Sequence, residues 1–160
     1  MRVVATTETP TRWLDDAEMR AWRLLMETTA DLSNALEADL QRSKGISLGD
    51  YQVLVFLSEA PERRMRMCDL AARLHLSPSG LTRRLDGLVR EGMVERVPSA
   101  DDRRVLLAVL SDAGWTRISD AAPAHVDSVR RRLLDPLSSE QVGQLGDIFA
   151  AVHAGLDAGD

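Results

Sequence analysis

The segment 77–92 carries hydroxyl and guanidinium groups at a spacing suited to binding an anionic polymer. Its small and donor side chains are Ser77, Ser79, Gly80, Thr82, Arg83 and Arg84. Hydroxyl and guanidinium groups donate hydrogen bonds to phosphate oxygens and base edges, and small side chains let a helix approach a groove closely. We therefore predict that these residues lie in or beside a DNA major groove. An ordinary solvated helix face is the alternative interpretation.

The same segment is predicted to be one short helix with both ends marked. Ser77 suits the N-cap, where its hydroxyl can accept a free backbone N–H, and Pro78 suits the first helical position. Gly92 suits the left-handed residue that closes a helix. Leucines recur at i, i+4 and i+7 between these ends, so we expect one narrow buried stripe, formed by Leu81, Leu85 and Leu88.

A second short helix is predicted at 68–75, directly before this one. Leu70, Ala71 and Leu74 would face inward, with the small Ala71 where the two helices cross. Two helices joined by so short a connection are typical of a helix-turn-helix. The presence of this neighbouring helix therefore favours DNA binding by the segment 77–92 over an ordinary solvated face.

A β-hairpin is predicted after the second helix, from two β-branched and apolar runs at 93–98 and 104–110. A hairpin in this position is a wing. Its tip carries Arg103 and Arg104, whose guanidinium groups could enter a minor groove or hold phosphates, and Asp102 could hold Arg104 in position. We also count Arg96, on the first strand, among the predicted DNA-binding residues. A solvated charged turn is the alternative for the tip.

The charge of the chain is unevenly distributed. The 160 residues carry a net charge of −5, which taken alone argues against nucleic acid. Residues 63–104, however, hold ten arginines against six acidic residues, whereas the rest of the chain holds ten basic against nineteen acidic residues. A basic middle between acidic ends is expected of a DNA-binding module inside an acidic scaffold.

Enzymatic and metal-binding classes have no positive support in the sequence. It contains no glycine-rich phosphate loop, nucleophile elbow or paired Cys/His spacing, so we predict no catalytic residue, metal or cofactor. His75, His125 and His153 are widely spread. The single cysteine, Cys68, excludes an intramolecular disulfide, fits a reducing cytoplasm and is predicted to be a small buried hydrophobe. No apolar run is long enough to span a membrane, and no secretory signal is present.

The flanking segments are predicted to be mainly helical. We expect helices at 13–43 and 48–59, a short edge strand at 64–67, a helix capped by Ser111 and a last helix opened by a capping box at Ser138. Pro123 predicts a kink or break near Asp120. The basic run 130–132 is expected to be solvated or to form salt bridges with the first helix.

The fold class is therefore mainly α with a small β-hairpin wing. We predict a flexible arm at 1–12, a winged helix-turn-helix at 48–110, and dimerisation helices at 13–47 and 111–160.

The chain resembles the MarR family of bacterial transcription regulators. The matching residues run from Leu70-Ala71 to Leu74 and then from Leu76 to Gly114, with Asp102-Arg103-Arg104 similar to the Asp-x-Arg motif of the family's wing. The resemblance implies a cytoplasmic homodimer that binds a pseudo-palindromic double-stranded DNA operator, usually as a repressor. It further implies release by a small aromatic or amphipathic ligand, in a cleft to which Trp22, Met26, Tyr51, Phe56 and Trp115 would contribute. A winged-helix module that binds protein without sequence-specific DNA binding is the alternative.

Overall fold

The computed structural model describes residues 11–157, so most of the predicted arm at 1–12 lies outside the described residues. Six α-helices and a three-stranded sheet follow one another along the chain. They are α1 (Asp16–Lys44), α2 (Leu48–Glu59), β1 (Arg64–Arg66), α3 (Met67–Arg73), α4 (Pro78–Arg90), β2 (Val94–Pro98), β3 (Leu106–Leu110), α5 (Asp112–Val129) and α6 (Ser139–Asp157). A 3-10 turn at Pro61–Arg63 precedes β1, and a π-helical turn at Arg130–Leu134 extends α5. The predicted fold class is confirmed.

The sheet is antiparallel, with strand order β1-β3-β2. Pairing of Glu95 with Val109 and of Arg96 with Ala108 sets the register of the hairpin, while β1 pairs with the other edge of β3. The predicted edge strand is therefore the third strand of the wing sheet.

A single hydrophobic core lies beneath α4 and the sheet. Leu81, Leu85 and Leu88 of α4 are buried as predicted. They join buried residues of the other elements, among which are Leu54 and Leu57 of α2, Leu70 of α3, Val94 of β2 and Ile118 of α5. Burying one such side chain contributes about 1.5–3 kcal/mol, so the apolar stripe fixes which face of α4 remains in solvent.

The first helix begins later than its hydrophobic pattern predicts. Asp15 is the N-cap and forms a capping box with Glu18, so Trp13 and Leu14 precede the helix. At the other end Gly45 adopts φ +61°, and Arg117 of α5 donates to the carbonyl oxygens of Lys44 and Gly45 at 2.5 and 3.0 Å. Arg117 thereby satisfies carbonyls that have no partner within α1.

The predicted break near Asp120 is wrong, because α5 is helical from Asp112 to Val129, and a kink there stays a prediction. Proline removes one backbone hydrogen bond from a helix, but packing on both sides of it can hold the helix together. Ile118 and Ala121 before Pro123, and Ser128 after it, are all buried. Tertiary contacts therefore override the local preference.

The prediction that Cys68 is buried is also wrong, since its side chain is exposed. The inward face of α3 is occupied by Leu70 and Ala71. Cys68 is two residues before Leu70, which is about 200° around a helix of 3.6 residues per turn, and it therefore lies on the opposite face.

The basic run after α5 binds one carboxylate on α1. Asp39 accepts hydrogen bonds from Arg132 at 2.7 and 3.0 Å, from Arg131 at 3.1 Å and from the Ser128 hydroxyl at 2.5 Å. The predicted salt bridges to the first helix are confirmed. The Arg132 guanidinium, with the Ser128 hydroxyl, holds the pKa of Asp39 well below its usual range.

A close contact joins the start of α5 to the end of α4. Ser111 caps α5 by accepting from the Gly114 N–H, and its own hydroxyl donates to the carbonyl oxygen of Gly92 at 2.6 Å. A Cβ atom at Gly114 would lie 2.3 Å from the carbonyl oxygen of Met93. Only glycine therefore permits this approach.

We predict that Gly114→Ala lowers the free energy of unfolding by about 1–3 kcal/mol, because the new methyl group must displace backbone. Gly87→Ala is the matched control, since nothing lies within 4 Å of its Cβ position, and it should raise stability by about 0.5–1 kcal/mol. Urea unfolding of the two variants measures both effects. Equal effects of the two substitutions would contradict the close contact.

We also predict that Asp39→Asn lowers the melting temperature at pH 7. A carboxyl group whose pKa is depressed by folding stabilises the protein above its unfolded pKa of about 4, and this contribution is lost as the pH falls below that value. The difference between Asp39→Asn and wild type should therefore shrink in acid. Asp127→Asn, at an exposed carboxylate without an ion pair to any described residue, should show no comparable difference.

Candidate nucleic-acid interface

The turn between α3 and α4 sets the angle at which α4 is presented. The N–H groups of His75 and Leu76 donate to the carbonyl oxygens of Ala72 and Ala71 at 3.1 and 2.9 Å, which is a Schellman motif. His75 occupies the left-handed position with φ +52°, where glycine is usual. These contacts confirm the tight connection of a helix-turn-helix.

Both ends of α4 are capped as the sequence predicts. Ser77 accepts from the Gly80 N–H at 3.1 Å, and Pro78 opens the helix. At the C-terminal end Gly92 adopts φ +72°, and the Met93 N–H donates to the carbonyl oxygen of Leu88 at 2.8 Å. The caps define the length of the exposed face.

The exposed face of α4 combines small hydroxyl residues with two arginines, Arg83 and Arg90, that have no partner among the described residues. Arg83 is exposed and makes no hydrogen bond or ion pair with any described residue. The Thr82 hydroxyl donates to the carbonyl oxygen of Pro78 at 2.9 Å, and the hydroxyls of Ser77 and Ser79 lie 3.2 Å apart. Arg83 is therefore the cation of α4 best placed to reach an external acceptor, with Ser79 and Gly80 giving little steric obstruction.

Arg84 contacts other residues of the protein, unlike the adjacent Arg83. Its guanidinium is 3.6 Å from the carboxylate of Asp50 and lies against the backbone of Gly49, where any larger residue would collide with it. Both residues belong to the first turn of α2. Arg84 therefore connects α4 to α2.

Arg96 connects the wing to α4. From β2 its Nη2 atom donates both to the Asp86 carboxylate and to the carbonyl oxygen of Thr82, each at 2.8 Å. Its side chain is 26% exposed, compared with 37% for Arg84 and 91% for Arg104. In this position Arg96 fixes the angle between the hairpin and α4. The spacing of residues in the sequence did not predict Asp86 as its partner.

The wing tip is ordered around Asp102. Its carboxylate accepts from the Arg104 backbone N–H at 3.0 Å and from the Arg104 guanidinium at 3.1 and 3.0 Å. These bonds lower the pKa of Asp102 and raise the pKa of Arg104. The Arg104 side chain is nevertheless 91% exposed, and Arg103 beside it is exposed and without a partner among the described residues. The tip therefore presents two guanidinium groups, one of them pre-positioned.

A separate cavity of about 750 Å³ lies between α1, α2, α6 and the C-terminal end of α5. Tyr51 and Phe56, two of the residues expected in a ligand cleft, line it. Trp22 and Met26 are half-exposed on α1 and do not line it, nor does Trp115, whose ring is covered by the Arg63 guanidinium at 4.2 Å. His125, which no sequence pattern indicated, lies against Tyr51 in the cavity wall.

Within residues 11–157, no group of three or more His, Cys, Asp and Glu side chains is arranged to bind a metal ion. No helix in that range has the length and apolarity needed to cross a membrane.

The crossing helices α3 and α4, followed by a hairpin fastened to α4, define a winged helix-turn-helix protein. Residues 44–105 match the model of the MarR family. The structure is similar to AbsC, a MarR family transcriptional regulator from Streptomyces coelicolor, with 38% identity and a TM-score of 0.86, over 92% of this chain and 99% of that one. The chain belongs to the MarR family of transcriptional regulators.

Other relatives agree with this assignment. Sco3205, a MarR family regulator of the same organism whose structure is in complex with DNA, is 37% identical with a TM-score of 0.85, over 91% of this chain and 92% of that one. The transcriptional repressor YetL of Bacillus subtilis is 26% identical over 139 residues, which cover 85% of this chain and 83% of YetL. These relatives are transcriptional regulators.

We predict that Asp102 acts on DNA through Arg104, as a positioning residue. Because Asp102 repels phosphate, simple electrostatics would make Asp102→Ala bind DNA more tightly. If Asp102 pre-positions Arg104, the variant should instead bind about two- to tenfold more weakly, since binding must then immobilise a free side chain.

A double-mutant cycle measures this, using a duplex that the protein enriches from a random-sequence library. The double variant should be little worse than Arg104→Ala alone. Tighter binding by Asp102→Ala, or additive losses, would exclude the positioning role.

Proposed function

We propose that the protein is a homodimeric, sequence-specific DNA-binding regulator. Each subunit lays the N-terminal part of α4 in a major groove and the tip of its wing at the adjacent minor groove of a pseudo-palindromic operator. The observation that carries this proposal is the exposed Arg83, without a partner among residues 11–157, on the outer face of a helix whose inner face is buried. The DNA complex of Sco3205, a protein 37% identical to this one, supports it.

The chemistry of the proposed contacts follows from the partners of each residue. Arg83 supplies a guanidinium that can pair with two acceptors on a guanine edge, while Ser77, Ser79 and Thr82 supply hydroxyls near phosphates. Arg103 and Arg104 supply the cations of the wing. Arg84 and Arg96 act on DNA indirectly, by holding α4 against α2 and the wing against α4.

The surface of α6 supports a homodimer. Among residues 139–156 every side chain is exposed except that of Leu145, which is half-buried. The exposed apolar residues of α6 include Ile148, Phe149 and Leu156. Helix α1 exposes Trp22, Leu24 and Met26. Exposed apolar side chains in this number are typical of an interface. We assign residues 13–47 and 111–160 to dimerisation and 48–110 to the DNA-binding unit.

The regulatory part of the proposal is repression that a small-molecule effector relieves. The relative YetL is named a repressor, which supports the sign of regulation. The cavity lies between the dimerisation helices and α2, so an occupant could change how two copies of α4 are spaced. We further propose that the protein acts in the cytoplasm, without enzymatic activity and without a cofactor.

The alternative function is a winged-helix module that binds another protein. The basic segment 63–104 disfavours it, because ten arginines against six acidic residues attract phosphates. Binding to DNA should weaken steeply as the salt concentration rises, whereas a mainly apolar protein interface would not show that dependence.

We predict that Arg83→Ala lowers the affinity for the selected duplex by about 1–3 kcal/mol and relaxes the preference at one base pair per half-site. Arg90→Ala is the matched control, an exposed arginine at the C-terminal end of the same helix. It should leave the base preference unchanged. Electrophoretic or fluorescence titrations on the duplex and on its single-base variants measure both substitutions.

Two results would contradict the proposal. Failure of the protein to enrich any duplex from a random library would remove sequence-specific DNA binding. An equal loss for Arg83→Ala on selected and random DNA would make Arg83 a phosphate contact and would leave the base-reading role without support.

A further inference from the structure

The walls of the 750 Å³ cavity are mainly apolar and carry no charged side chain. Sixteen described residues line it, and none of them is Asp, Glu, Lys or Arg. Leu32, Leu36, Val55 and Leu133 are typical of the lining, and the volume is within the range of sites that hold small organic molecules. A charged ligand would lose its hydration there without gaining an opposite charge.

One polar atom in this wall is both buried and without a hydrogen-bond partner among the described residues. Neither ring nitrogen of His125 hydrogen-bonds to a described residue, and its Nδ1 atom is inaccessible to solvent. The imidazole lies against the Tyr51 ring, with the ring centroids 4.6 Å apart. Buried polar groups normally have hydrogen-bond partners, so an unsatisfied imidazole in a ligand-sized cavity indicates where a ligand group binds.

Both polar rings of the wall are neutral at physiological pH. Burial lowers the pKa of His125, which disfavours the imidazolium, and it raises the pKa of Tyr51, which disfavours the phenolate. A neutral imidazole has one nitrogen that donates and one that accepts, so it pairs with a hydroxyl and offers no net charge to a carboxylate.

We propose that this cavity selects uncharged, mainly apolar small molecules that carry one hydroxyl group, and that His125 is the residue that recognises the hydroxyl. The inference names the ligand class of the regulatory site, and its regulatory meaning rests on the proposed function.

Three naphthalene compounds that differ in one substituent separate the contributions of the hydroxyl group and of charge to binding. Equilibrium dialysis of the full chain against 2-naphthylmethanol, 2-methylnaphthalene and 2-naphthoate at neutral pH compares hydroxyl, hydrogen and carboxylate at the same place. The alcohol should bind about two- to tenfold more tightly than the hydrocarbon, the gain of one neutral hydrogen bond. The carboxylate should bind about tenfold more weakly than the alcohol, or not measurably.

Substitution of His125 assigns the preference to that residue. His125→Phe should still bind the hydrocarbon and should lose its preference for the alcohol, whereas His125→Gln, which keeps a hydrogen-bonding group, should retain part of it. His153→Phe is the matched control, because His153 lies on α6 and does not line the cavity. It should leave all three affinities unchanged.

The inference is overturned if 2-naphthoate binds as tightly as the alcohol, if none of the probes binds, or if His125→Phe retains the alcohol preference. Dialysis without DNA keeps this test independent of the proposed function. Selective binding of the alcohol without any effect on DNA affinity would support the cavity assignment and would contradict effector release.

Discussion

Burial of Leu81, Leu85 and Leu88 fixes the orientation of α4 in the fold. These side chains hold one face of α4 in the core, so the opposite face, with Arg83, must remain in solvent. The Schellman turn at His75 and the contact of Ser111 with Gly92 fix the two ends of the helix. A DNA-reading helix needs this rigidity, because a small error in its angle would misplace every donor that it carries.

Pairing of charges then separates the arginines into two groups. Arg84, Arg96 and Arg132 bind carboxylates and join one element to another, at α2–α4, at the wing and at α1–α5. Arg83 and Arg103 have no carboxylate partner among the described residues, and Arg104 remains exposed although Asp102 holds it. The protein can therefore be acidic overall and still present cations where the proposed DNA contact lies, because most of its other basic groups are locally neutralised.

Local features of the sequence predicted the fold reliably. They predicted the partners of individual side chains less reliably. Caps such as Ser77 and Gly92 act within a few residues, and Asp102 reaches Arg104 across only two, so spacing alone revealed them. The pairing of Arg84 with Asp50 depends on how α2 packs against α4, which no local pattern encodes. Tertiary packing also keeps α5 helical through Pro123 and places His125 in the cavity wall, which the predicted Trp22, Met26 and Trp115 do not line.

In the proposed complex, α4 and the wing bind DNA together, in two different grooves. Dimethyl sulfate tests it most directly, because it methylates guanine N7 in the major groove and adenine N3 in the minor groove. On a duplex selected by the protein, we expect two clusters of protected guanines about 10 base pairs apart, each beside protected adenines. Binding without protected guanines, or with protection in one groove only, would contradict this arrangement.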